Sequence, residues 1–165
     1  MKKLLYCAVA LASMLCAASC QQENLEPVGN GGAVTFTVTT PGDLDTRAAI
    51  ADGKNVNELH WAVYKTKSGE DYAIDGSGKI DGPLAKGIVP MSNKTATLEL
   101  DLLQDQYYTI LFWAQVAGAR HYTVGDLREV KVNGTTIAGN DESRAAFYQI
   151  HEFDTKEQKN YEESW

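Results

Sequence analysis

Beyond residue 20 this 165-residue chain has no cysteine, because its three cysteines are Cys7, Cys16 and Cys20. The body of the protein therefore contains no disulfide and no zinc-thiolate site, and its fold must rest on burial alone. Basic residues are in deficit, with 15 Lys and Arg against 22 Asp and Glu. An acidic chain lacks the positive footprint that nucleic-acid phosphates demand, so nucleic acid is excluded as a partner. After the first twenty residues no apolar run approaches membrane-spanning length. Helical periodicity is missing too: no segment of the body keeps a 3.6-residue repeat for more than about two turns. There is no HExxH and no GxSxG, and His60, His121 and His151 are dispersed without ligand spacing. The chain is read as a non-enzyme with no cofactor and no metal.

What is present begins at the N-terminus. Lys2 and Lys3 lead into about fifteen apolar or small residues, the length of a signal-peptide core and too short to cross a bilayer. The run ends in Leu15-Cys16-Ala17-Ala18-Ser19-Cys20. Small residues before a cysteine resemble the lipobox of bacterial lipoproteins, in which the peptide is cut before the cysteine and the new terminus is acylated. The resemblance implies a signal peptide over 1–19, lipidation at Cys20 and an outer-membrane location. Two or three acyl chains hold a protein far more firmly than one, at roughly 0.8 kcal/mol per buried CH₂. Cleavage takes Lys2 and Lys3 away and no acid with them, so the net charge of −7 becomes −9. Residues 20–32, with Pro27 and Gly29-Asn30-Gly31-Gly32, read as a polar spacer.

The body, 33–165, is a succession of period-two segments. In Ala33–Thr40, Val34, Phe36 and Val38 alternate with threonines, and Pro41-Gly42 stops the run. Further strands are expected at Glu58–Lys65, Pro83–Val89, Lys94–Leu103, Gln106–Ala117 and Arg128–Val132, with a last one within Phe153–Trp165. The Gln106–Ala117 segment is apolar on both faces and reads as a central strand covered from two sides. Asn140–Ser143 offers a cap for a short helical turn near 143–148. About seven strands at this spacing predict an antiparallel β-sandwich.

Trp61 and Trp113 fall at positions that alternate inward, so both are assigned to the core. The Asp71, Asp75, Ser77 and Asp81 cluster has a lysine where a calcium ligand belongs and reads as an acidic turn. Glu162 and Glu163 read as solvated charges.

Taken in order, the lipobox, the linker, the first alternating strand, Asp45-Thr46-Arg47-Ala48, Leu59-His60-Trp61-Ala62-Val63-Tyr64, the Tyr108–Gln115 strand and Asn140–Phe147 resemble the fimbrillin-like lipoproteins of Bacteroides-type bacteria. These are type V pilus subunits or proteins on the same plan. The resemblance implies a transthyretin-like sandwich, usually two in tandem, of which this chain holds the first. It implies protease cleavage between Arg47 and Ala48. It also implies donor-strand exchange, in which the strand carrying Val34, Phe36 and Val38 is removed and a neighbour's strand replaces it. The partners expected are the outer membrane through Cys20, other pilus subunits by β-strand addition, and a host or glycan ligand. With only one domain, an anchor or tip role is expected over a repeating stalk role. The alternative from a different class is a surface glycan-binding lipoprotein that uses aromatic side chains. Growth of the producing cells with a clickable fatty-acid analogue is expected to label the chain, and Cys20→Ser is expected to abolish the label.

Overall fold

A computed structural model describes residues 31–41, 53–66, 82–134, 141–156 and 160–165. Its strands are β1 (Gly31–Thr39), β2 (Glu58–Thr66), β3 (Ala85–Pro90), β4 (Thr95–Leu103), β5 (Tyr107–Gln115), β6 (Tyr122–Val124), β7 (Val130–Val132), β8 (Ala146–Asp154) and β9 (Asn160–Ser164). They form a three-stranded sheet in the order β4-β1-β9, a four-stranded sheet in the order β3-β2-β5-β8, and a β6-β7 hairpin. The first two sheets face each other, and the protein is an all-β sandwich.

The alternation of apolar residues dictates which face each strand buries. Val34, Phe36 and Val38 on β1 and Ala96, Leu98, Leu100 and Leu102 on β4 form one inner face. Leu59, Trp61 and Val63 on β2 meet them from the other sheet, with Tyr108, Ile110, Phe112 and Ala114 on β5. The threonines of β1 point outward beside Thr95, Thr97 and Glu99 of β4. Gly87 on β3 lies opposite Trp61, and a Cβ there would come within 3.0 Å of the indole. The missing side chain lets the ring lie flat across the edge strand.

β5 is indeed covered on both sides. Its outward Leu111, with Ala62 and Tyr64 of β2, is buried beneath Leu127 of the β6-β7 turn. The Tyr64 hydroxyl donates to the Asp126 carbonyl, and the Arg128 guanidinium lies 5.5 Å from the Tyr64 ring centre. These contacts hold the hairpin on the sheet. Tyr108 is buried, and its hydroxyl donates to the Leu103 carbonyl five residues back at 3.2 Å. Burial pushes that phenol's pKa up, and the backbone bond offsets part of the shift.

Three expectations need correction. The helical turn near 143–148 is a single 3₁₀ turn, Glu142–Arg144, and residues from Ala146 onward are strand. Asp141 accepts from the Ser143 amide and satisfies one turn, but Phe147, Tyr148 and Ile150 favour an extended chain. The Arg128–Val132 strand shrinks to β7, because Asp126 and Arg128 bond to each other inside the turn. Trp113 faces outward into the β6-β7 cluster and is only partly buried, whereas Trp61 is in the core at 3% exposure.

Phe36 is fully buried at the centre of β1. Phe36→Ala is expected to lower unfolding free energy by about 3–5 kcal/mol. The outward neighbour change Thr37→Ala is expected to cost less than about 1 kcal/mol. Urea denaturation of the two variants checks the contrast.

Candidate functional site

β1 is the middle strand of its sheet. It runs antiparallel to β4 along its whole length, from Gly31 opposite Leu103 to Thr39 opposite Thr95. On its other side it runs parallel to β9, from Thr35 opposite Asn160 to Thr39 opposite Ser164. The predicted residues Val34, Phe36 and Val38 are brought together on its inner face, at 2%, 0% and 0% exposure. Burial of three such side chains contributes roughly 5–8 kcal/mol, comparable to the whole stability of an ordinary domain. Removing β1 would expose a slot with two unpaired walls, rather than a single sheet edge.

The two walls are held differently. β4 adjoins β3 of the opposite sheet. β9 has β1 as its only ladder partner among the described residues. Side chains tie it to β8 across the sandwich. The Tyr161 hydroxyl donates to the Asp154 carbonyl at 2.8 Å. Glu163 lies 2.8 Å from His151 Nδ1 and accepts from the Gln149 amide. The Glu163 side chain is 9% exposed, so it is not the solvated charge its sequence context suggests. The Trp165 ring rests 5.9 Å from that of Phe147.

The seam also has polar atoms without protein partners. His151 Nε2 and the Gln149 carbonyl oxygen are buried and make no hydrogen bond among the described residues. Both belong to inward positions of an edge strand, where polar groups discourage further strand pairing. An open cleft of about 600 Å³ lies beside them, lined among the described residues by His151, Asp154, Lys156 and Tyr161.

Each histidine has a carboxylate. His60 Nε2 donates to Glu58 at 2.6 Å, and His121 Nε2 lies 2.8 Å from Asp141. Ser143 Oγ is 2.9 Å from the same His121 nitrogen and donates to Asp141 at 2.6 Å. The trio contains the residue types of a hydrolase triad but not its geometry. A triad needs the carboxylate on one ring nitrogen and the hydroxyl on the other, and here both share Nε2. No group of three or more His, Cys, Asp or Glu among the described residues could hold a metal.

Cys20, Arg47, Ala48 and the acidic 71–81 cluster lie outside the described residues. Sequence reasoning found the strand but missed Gln149, His151, Tyr161 and Glu163, which complete its surroundings. The available signal was the Tyr161, Glu163, Trp165 alternation, which repeats the period of two in a polar context.

Together the features define a β-sandwich whose first strand fills a slot between two others and whose edge strands are latched by side chains. The profile of a protein family described as a family of unknown function (DUF6562) matches residues 26–164, and the chain belongs to that family. Neither the curated proteins nor the solved structures give a match.

The Asp141 carboxyl is held below its ordinary range, first by the Ser143 hydroxyl, then by the Ser143 amide and His121. A depressed folded pKa contributes stability that is present above the unfolded value of about 3.9 and lost as pH falls through the folded value. Asp126, lowered chiefly by Arg128, acts in the same direction. Asp141→Asn is therefore expected to flatten the stability loss below about pH 4, measured by urea titration across that range.

Proposed function

We propose that the chain is a lipid-anchored outer-membrane protein of the fimbrillin type. Uncut, it serves as an anchor or tip subunit in pilus assembly or adhesion; once cut after Arg47, and so freed of β1 and the acylated N-terminus together, it accepts a partner's strand in the slot. The observation that carries this reading is the position of β1. It is the first described strand, follows a glycine-rich spacer and lies between two neighbours, with its Val-Phe-Val face fully inward.

Physical chemistry links that position to assembly. A cut between Arg47 and Ala48 severs β1 from β2 without breaking any ladder bond in the described strands. If β1 then leaves, β4 and β9 each present a row of unpaired N–H and C=O groups above an apolar floor. Such a slot is refilled most favourably by another extended segment, whose main chain supplies affinity and whose alternate side chains supply selectivity. The glycan-binding alternative has less support, because Trp61 is a core residue and the partly buried Trp113 packs against Tyr122 and Tyr148.

The test uses a photo-crosslinking amino acid at Thr97, which faces outward on β4 opposite Thr37. In envelopes of the producing cells, the expected result is a crosslink to a second protein, with the chain lacking residues before Ala48. Arg47→Ala is expected to remove that crosslink and leave the chain starting at acylated Cys20. A crosslink confined to the chain's own β1 in every case would overturn the strand-acceptor reading.

A further inference from the structure

Phe36 sits among four rings, and none of them belongs to β4, the longer of its two ladder partners. Phe112 of β5 meets it edge-on with centroids 5.7 Å apart, and Phe153 of β8 does so at 5.0 Å. His151 of β8 stands 6.0 Å away, also edge-on. Tyr161 of β9 stacks on it at 5.0 Å with the planes 16° apart. Edge-to-face and stacked geometries are those that ring quadrupoles favour.

The rings of the box also contact one another. Phe153 stacks on His151 at 5.9 Å, and His151 lies edge-on to Tyr161 at 5.1 Å. Tyr161 is tied through its hydroxyl to the Asp154 carbonyl, and β9 is tied through Glu163 to His151 and Gln149. Three of the walls are thus linked to one another across the β8-β9 seam by contacts that do not involve Phe36 itself. The fourth, Phe112, is fixed in the ladders that β5 makes with β2 and β8.

We infer that this four-ring box is a specificity pocket. The occupant it selects is an extended segment with an aromatic residue flanked at plus and minus two by aliphatic ones, lying antiparallel to β4 and parallel to β9. The inference rests on the strand-acceptor reading and narrows it to one class of partner. Only one register puts the aromatic side chain into the box. A slip of one residue turns the whole inner face outward. A slip of two places an aliphatic side chain among the rings and a ring where Val34 or Val38 belongs. The pocket therefore sets both the identity and the alignment of the incoming strand. Outward positions are read less strictly, because on that side Thr35 and Thr37 face only Glu99, Thr97, Asn160 and Glu162 across the ladders.

The experiment uses the whole chain, cut by a site-specific protease in the connection between β1 and β2. The β1 segment of the cut protein is thus free to be replaced. The cut protein is unfolded in urea and refolded with an excess of labelled peptide of the Gly31–Thr39 sequence, and incorporation is read by native mass spectrometry. Companion peptides carry Phe36→Leu and Phe36→Ala, so the protein itself is never altered. The expected order is Phe, then Leu at least about fivefold weaker, then Ala about a hundredfold or more weaker. Equal incorporation of the Leu and Phe peptides would overturn the pocket while leaving the strand-acceptor reading in place, as would an Ala peptide within tenfold of Phe. Failure of every peptide, the Phe one included, would overturn both.

Discussion

The fold turns on one ring. Phe36 lies at the crossing point of both sheets, touching side chains from β5, β8 and β9 while its own backbone joins β4 to β9. Without it the three-stranded sheet loses its central contact with the four-stranded one. A body without disulfides has only burial to hold its sheets together, so the loss of one central aromatic weighs more than it would in a stapled domain. The aromatic cluster around Phe36 is thus a part of the core that reaches the β8-β9 seam.

The two ends of the sandwich handle their strand edges differently. At one end β3 closes the four-stranded sheet with Lys86, Gly87 and Pro90, residues that pair poorly with a further strand. At the other, β8 and β9 keep inward-facing Gln149, His151 and Glu163. An apolar seam there would be a standing invitation to aggregation. A polar one can be closed by hydrogen bonds and still be specific, since each group must find its counterpart. Among the described residues, Gln149, His151 and Trp165 of this seam each keep a buried polar atom without a hydrogen-bond partner.

How much of this was legible in the sequence depends on where polar residues fall. β1, β2, β4 and β5 alternate cleanly between apolar and polar, or are apolar throughout, and were found within two residues at each end. β8 was not, although it is equally long. Its inward positions hold Phe147, Gln149, His151 and Phe153, and the two polar residues break the apolar repeat that marks a strand. They are tolerated inside only because Glu163 approaches from β9, a partner distant enough that no local pattern announces it. Trp113 was misplaced for a related reason. In a strand buried on both faces, alternation cannot say which face meets the sandwich partner and which meets the hairpin. The slot at β1 was therefore half readable: its occupant followed from periodicity, its walls only from the topology.

The parallel pairing of β1 with β9 also joins the first and last of the described strands. Residues 35–39 can ladder with β4 as soon as residue 99 is made, but their second ladder forms only when 160–164 are at hand. A nascent chain can form the β2-β5 pair as soon as residue 115 is available, yet its three-stranded layer must wait for residue 164. Contacts so far apart along the chain impose a large loop-closure entropy before they yield any gain, and proteins dominated by them are slow to fold. Until residue 164 is made, one flank of the Val-Phe-Val segment and the Tyr161 side of its ring stay open, and whatever handles the young polypeptide must keep that flank from finding the wrong mate.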